Sequence, residues 1–205
     1  MKKLVFTYIS IFLSLNAFSQ TEWKLRKDDN NIKIFTRGLP NENFNEYKAK
    51  TEINSPIEAV VKELLTAPSY FENCPSGISY YVKKLNTNQH VFYAHQDLPW
   101  PVKDRDLITL LTVEKLSETK YNLKLESLPN ALPVKGKTIR IKKLMGYWFL
   151  KEKNKKTQIT QQLFVDPEGS LPTFIVNKLL IKGPYKTFSE LREIFQNKTT
   201  SHLSK

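Results

Sequence analysis

The alternation of apolar and polar residues predicts a chain built mostly of β-strands. Short polar segments, such as residues 86–88 and 117–119, separate the extended runs as expected of antiparallel hairpins. The predicted strands are 32–37, 44–53, 78–85, 90–98, 106–116, 121–128, 138–150 and 157–165.

Two segments have the spacing of helices. Residues 55–58 read Ser-Pro-Ile-Glu, in which the serine can cap the first free amides, the proline suits the first helical position and the glutamate completes a capping box. We expect this helix to end at Pro68. A second helix is predicted over 171–197, and Gly183-Pro184 in its middle should kink or break it.

The predicted order is two strands, a helix, six strands and a long broken helix. A curved antiparallel β-sheet with the long C-terminal helix against its concave face buries the apolar residues of this order, which gives an α+β fold. Either large side chains or a ligand must fill the space between two such layers.

The first 19 residues have the plan of a secretory signal: Met1-Lys2-Lys3, an apolar run over 4–15, and small residues before a cut after Ser19. The run is shorter than the roughly 20 residues that span a bilayer, although an N-terminal anchor is the alternative. We therefore expect export to the periplasm or medium, one domain over 20–197 and a polar tail over 198–205. The lone cysteine, Cys74, cannot form an intrachain disulfide and is expected to be buried or half-buried.

The formal net charge of the whole chain is +12. A basic chain can bind nucleic acid or an acidic membrane surface. The lysines are scattered, apart from a cluster within 151–156 that is most simply a solvated hairpin turn. We expect no nucleic acid partner, and transient contact with acidic lipid headgroups is the use that the charge favours.

The residues of a catalytic or metal site are not apparent. The three histidines form no metal-binding pair, since His90 and His95 are five residues apart and fall on opposite faces of one strand. The chain has no phosphate-binding glycine loop, nucleophile elbow or Cys-x-x-Cys. We therefore expect no cofactor, no metal and no catalytic residue.

The segment 98–106 combines stiffness with charge. Prolines on both sides of Trp100 hold an extended approach to the next strand, and Arg105 between two aspartates can form a bidentate pair with a carboxylate. Arg105 either ties a rigid corner together or contacts a ligand headgroup.

A series of short motifs follows the same order as in a known family. They are Trp23-Lys24-Leu25, 28–37, Tyr47-Lys48-Ala49, Ser55-Pro56, 99–102, Asp104-Arg105-Asp106, Gly146-Tyr147-Trp148, Asp166-Pro167 with Gly169, Leu171-Pro172 and Val176-Asn177. In this order and spacing the chain resembles the START-domain family of lipid-binding and lipid-transfer proteins, in particular its bacterial members. The resemblance implies a helix-grip fold, in which the sheet grips the C-terminal helix around an apolar cavity.

The resemblance also implies a lid formed by the final helix and a loop, which would be residues 127–134 here. Sterol-binding members carry a buried acid and arginine. In this chain Leu107–Leu111 replaces the arginine, and the place of the acid falls near His95 or Gln96. We hypothesise that an uncharged hydrogen bond from one of these two side chains takes the place of the buried acid and arginine. The predicted ligand-binding residues are His95, Trp100, Arg105, Trp148, Phe174 and Leu179.

Binding, and possibly transfer, of a lipid or other hydrophobic molecule by a monomer is the leading functional hypothesis. A cyclase-like enzyme of the same superfamily is the alternative, with His95, Tyr93 or Asp97 as the titratable group in the cavity. A third hypothesis is a structural or partner-binding domain with a filled core.

Overall fold

The structure, a computed structural model, describes residues 22–66 and 77–203. The predicted signal segment, its cut after Ser19, the expected helix end at Pro68 and the predicted burial of Cys74 lie outside these residues.

Ten strands of the described chain form a single curved sheet that is almost wholly antiparallel. The order across the sheet is β1-β2-β3-β10-β9-β7-β6-β5-β4, and the short β8 pairs in parallel with β6. The strands are β1 (Lys24–Asp29), β2 (Ile32–Gly38), β3 (Asn45–Ile53), β4 (Gly77–Asn86), β5 (Gln89–Gln96), β6 (Arg105–Ser117), β7 (Lys120–Ser127), β8 (Ile139–Arg140), β9 (Lys143–Lys153) and β10 (Lys156–Asp166).

Helix α1 (Ile57–Thr66) follows β3, as the sequence predicted. Its first amide is satisfied differently from the expectation, because the backbone N–H of Ile57 donates to Glu152 Oε2 of β9 at 2.8 Å. The cap of this amide therefore comes from the sheet, and it joins the start of α1 to the β9–β10 hairpin.

The C-terminal helical segment is interrupted where Gly183-Pro184 predicted a break. It consists of α2 (Thr173–Asn177), a π-helical turn (Lys178–Lys182) and α3 (Gly183–Leu203). The N–H of Gly183 donates to the carbonyl of Lys178, five residues earlier, and Pro184 has no N–H to restore the ordinary ladder. Helix α3 continues past residue 197, into the part expected to be a tail.

The concave face of the sheet holds the main core. Alternate residues of each strand point to this face, and α3 lies over it against β2 and β3. The ring of Trp148 on β9 stacks on Phe188 of α3, with ring centres 5.4 Å apart and planes 13° from parallel. The fully buried side chains of this core include Ile32, Ile34, Val60, Leu123, Leu150, Phe188 and Leu191.

A second, smaller cluster lies on the opposite, convex face. Val91 and Tyr93 of β5 alternate with the concave residues of that strand, and Ile108 of β6 lies beside them. Leu128 and Leu132 of the β7–β8 loop pack against this cluster. The expectation that residues 127–134 form a lid over the cavity is therefore wrong, because Leu128 and Leu132 pack half-buried on the far side of the sheet and Val134 is exposed.

Candidate functional site

A cavity of about 250 Å³ lies between the concave face of the sheet and the C-terminal helical segment. Its wall is predominantly apolar and combines residues from β3, β5, β6, β7, β9, β10, α1 and the helical segment. A cavity with such a wall excludes ionic groups and accommodates an apolar molecule. Residues of the wall include Phe92, Leu107, Leu111, Leu125, Leu144, Leu163, Val176, Leu179 and Leu180.

One end of the cavity is bounded by loops, and we call it the loop end. The antiparallel pairing places the start of β3 and β6 beside the end of β5 and β10. Phe44, Leu98, Pro167 and Leu171 come from the loops at this edge, and all four lie in the wall.

Arg105 joins two of these loops. Its guanidinium donates to the carbonyls of Pro167 at 3.2 Å and Glu168 at 3.3 Å, and also to the carbonyl of Lys103. Burial lowers the pKa of Arg105 from its ordinary value. Arg105 therefore lies in the cavity wall, where its hydrogen bonds to backbone carbonyls hold the two loops together.

His95 lies in the wall at the end of β5. Its Nε2 is 3.0 Å from Asp97 Oδ1 and 3.8 Å from Asp104 Oδ2. The other oxygen of Asp104 accepts the N–H of Leu98 at 2.9 Å. The three side chains have atoms of the kind that bind metal ions, all within 4.8 Å of one another. His95 and Asp97 are at ordinary hydrogen-bond distance. His95 and Gln96 are the last two residues of β5, and both lie in the wall at the loop end.

The interior of the cavity holds a different polar pair. The hydroxyl of Tyr47 on β3 donates to Gln161 Oε1 on β10 at 2.9 Å, and both side chains are buried in the wall. Gln161 pairs across the strands with Trp148 of β9. Both belong to the concave set, so the indole and the carboxamide are neighbours on one face.

Gly146 permits the close approach of β9 and β10 next to this group. A Cβ at residue 146 would lie 2.3 Å from the carbonyl oxygen of Gln162. The glycine of the Gly146-Tyr147-Trp148 motif is therefore required by the backbone, and it helps to place Trp148 in the wall.

Two of the predicted ligand-binding residues lie outside the wall. Trp100 is 92% exposed in the β5–β6 loop, and Phe174 is 66% exposed on α2. The structure brings His95, Arg105, Trp148 and Leu179 into the wall of one cavity. Trp100 and Phe174 each lie two residues from a wall residue, Leu98 and Val176, in segments that adjoin the loop end.

Sequence reasoning missed two polar groups. Arg140 binds the carboxylate of Asp106 on the convex side, where burial and that carboxylate also raise the pKa of Tyr93. Arg140 lies in the predicted strand 138–150, whose pattern gives no sign of a buried charge, and Gln161 lies in the alternating strand 157–165 outside any motif. The alternation placed Gln161 among inward-facing positions, and an amide at such a position was the available signal.

Comparisons with known proteins agree with this architecture. The START domain family model matches residues 3–201. An uncharacterised protein of Pseudomonas aeruginosa is 28% identical over 181 residues, which cover 86% of this chain and 88% of that protein.

Among the described residues, none of the helices combines the length and apolarity needed to cross a membrane.

Two solved structures show the same fold. A STAR-related lipid transfer protein from Xanthomonas axonopodis superposes with a TM-score of 0.75 at 26% identity, covering 85% of this chain and 98% of that one. Human StAR-related lipid transfer protein 5 superposes with a TM-score of 0.70 at 15% identity, covering 86% of this chain and 88% of that one. The helix-grip architecture and the match over nearly the whole sequence lead to one conclusion: this chain belongs to the START domain family.

Proposed function

We propose that the protein binds a lipid or another hydrophobic small molecule inside the cavity. The observation that carries this proposal is the apolar cavity of about 250 Å³ between the concave face of the sheet and the C-terminal helical segment. Moving an alkyl chain from water into such a wall contributes roughly 0.8 kcal/mol for each buried methylene group.

Transfer between membranes is the further role that we propose. The Xanthomonas protein of similar structure is described as a lipid transfer protein, and its chain is matched almost completely. Transfer requires a surface that meets the bilayer near the cavity. The exposed rings of Trp100 and Phe174 flank the loop end and suit the interface between water and lipid.

Exposed cations accompany these two rings. Lys103 follows Trp100 in the same loop, and Lys178 and Lys182 follow Phe174 in the π-helical turn. We therefore propose transient docking of the loop end on an acidic membrane surface, where each cation near the surface contributes about 1 kcal/mol.

We further propose an exported monomer that binds its ligand without converting it. Export rests on the plan of the first 19 residues. A cyclase-like activity would require a titratable group that acts on the ligand. The candidate His95 lies at the loop end beside Asp97 and Asp104, and the polar pair Tyr47–Gln161 stands on other strands, β3 and β10.

Extraction of the protein purified from its native cells tests the binding proposal. Mass spectrometry of the extract is expected to find a hydrophobic compound in constant ratio to the protein. The stripped protein should take up a compound again from membrane lipid extracts. Absence of any compound from both samples would contradict the proposal.

A further inference from the structure

Two side chains that carry hydrogen-bond donors, Gln161 and Trp148, are neighbours in the cavity wall. Tyr47 donates its hydroxyl to Gln161 Oε1 at 2.9 Å, which fixes the carboxamide with its Nε2 as the remaining donor. Within the described residues, Nε2 of Gln161 has no protein acceptor, and the same holds for the indole N–H of Trp148. Neither nitrogen is fully enclosed by protein atoms.

The sheet places the two side chains next to each other on one face. Gln161 and Trp148 are direct partners in the β9–β10 pairing, so their Cβ atoms are about 5 Å apart on the concave face. Gln161 is only 4% exposed. Because Nε2 is not fully enclosed by protein, a ligand oxygen in the cavity can accept a hydrogen bond from it, and this bond favours such a ligand over an alkane.

The charge of the wall limits which oxygen can bind. The charged residues of the wall are at the strand ends, and each has a partner: Arg105 binds backbone carbonyls and Asp106 binds Arg140. None of the described residues of the wall is a lysine. An ionised carboxylate or phosphate beside Gln161 would therefore lose its water without gaining a counter-charge.

We propose that Gln161 and Trp148 form a neutral anchor that selects apolar molecules with one uncharged acceptor oxygen, such as an ester, ketone or hydroxyl. This inference rests on the proposed function, since it names the ligand class of the same cavity. In this proposal the uncharged amide of Gln161 and the indole of Trp148 hold the ligand oxygen, and His95 and Gln96 do not.

Three probes of equal chain length test the anchor: methyl palmitate, hexadecane and ionised palmitate. Each competes with a fluorescent apolar dye for the protein stripped of lipid. We expect methyl palmitate to bind more tightly than either of the others. Gln161→Leu should weaken methyl palmitate binding by about threefold to tenfold and leave hexadecane binding unchanged. Trp148→Phe should act in the same direction.

Gln158→Leu is the matched control, because Gln158 lies on the same strand with an exposed side chain. The double variant Tyr47→Phe, Gln161→Leu removes both polar groups of the pair and keeps its shape, so it tests the anchor if the single variant unfolds. The ratio of ester to alkane affinity is the readout that a general loss of stability does not change.

The outcomes separate the two proposals. The anchor would be overturned if the wild type bound ester and alkane equally, or if it bound ionised palmitate more tightly than the ester. It would also be overturned if the ratio of ester to alkane affinity were unchanged in both Gln161 variants. In each case the proposal of hydrophobic binding would stand. Failure of every probe to displace the dye, with no saturable dye binding, would overturn the proposed function together with the anchor.

Discussion

Arg140 binds Asp106 through two parallel hydrogen bonds, from Nε to Oδ1 at 2.7 Å and from the terminal guanidinium nitrogen to Oδ2 at 2.8 Å. The same guanidinium donates to carbonyls of the β7–β8 loop, among them that of Leu132 at 2.9 Å. The hydrogen bonds that Arg140 donates to the Asp106 carboxylate raise the pKa of Arg140. The loop is thereby fixed on the convex face, which leaves the helical segment and the loops at the loop end to cover the cavity.

Arg140→Met is expected to destabilise the protein by about 3–5 kcal/mol, because it leaves the Asp106 carboxylate buried without a counter-charge. Urea unfolding followed by tryptophan fluorescence measures the loss. The double variant Asp106→Leu, Arg140→Met removes both charges, and its loss should be well below the sum of the two single losses. Strictly additive losses would show that the two side chains do not depend on each other.

Phe188→Ala is expected to cost about 3–5 kcal/mol, because Phe188 is fully buried and stacks on Trp148. Phe174→Ala is the matched control on the same helical segment, and its 66% exposure predicts a change within about 0.5 kcal/mol. Thermal or urea unfolding compares the two. Equal losses would contradict the packing of α3 on the sheet described above.

The Tyr185 hydroxyl donates to Asp29 Oδ2 at 2.6 Å and joins α3 to the end of β1. This hydrogen bond, together with Lys27, holds the pKa of Asp29 below its ordinary value. A carboxyl with a lowered pKa stabilises the fold above its unfolded-state pKa, and the contribution is lost as the pH falls through the folded-state pKa.

Tyr185→Phe should therefore raise the pKa of Asp29 towards 3.8 and reduce the loss of stability on acidification. An NMR titration of the Asp29 carboxyl carbon measures the shift. In an Asp29→Asn background, Tyr185→Phe should no longer change the pH dependence of unfolding. A pKa of Asp29 that is the same with and without the hydroxyl would refute the assignment.

Trp100→Ser with Phe174→Ser is expected to weaken binding to vesicles of phosphatidylglycerol severalfold, because both exposed rings flank the loop end. Vesicle sedimentation at low and high salt measures the loss, and vesicles of phosphatidylcholine should bind weakly throughout. Leu85→Ser on β4, also an exposed apolar residue, is the control. A double variant that sediments like the wild type would contradict docking through the loop end.

The alternation of apolar and polar residues was enough to predict most strands, α1 and the broken C-terminal helix. It missed β1, whose side chains are mostly exposed, since a strand at the edge of a sheet need not alternate. It merged β8 and β9 into one run, because the change of pairing partner between Arg140 and Lys143 depends on Asp106 and has no local signal.

The site was less predictable than the fold. The inward-facing pattern correctly placed Trp148 and Leu179 in the cavity wall. The direction of Trp100 and Phe174 depends on loop and helix geometry that hydrophobicity does not encode. The Tyr47–Gln161 pair joins residues 114 positions apart, and such a contact follows only from the register of β3 on β10.

Titration of the stripped protein with a fluorescent alkyl probe, compared between the wild type, Ala94→Trp and Ala59→Trp, tests the central claim most directly. Ala94 lies in the cavity wall and Ala59 is exposed on α1, so the same new side chain fills the cavity in one variant only. The account predicts saturable binding by the wild type and Ala59→Trp and a loss of about tenfold or more in a folded Ala94→Trp. Equal probe affinity in all three proteins, or no saturable binding by the wild type, would contradict it.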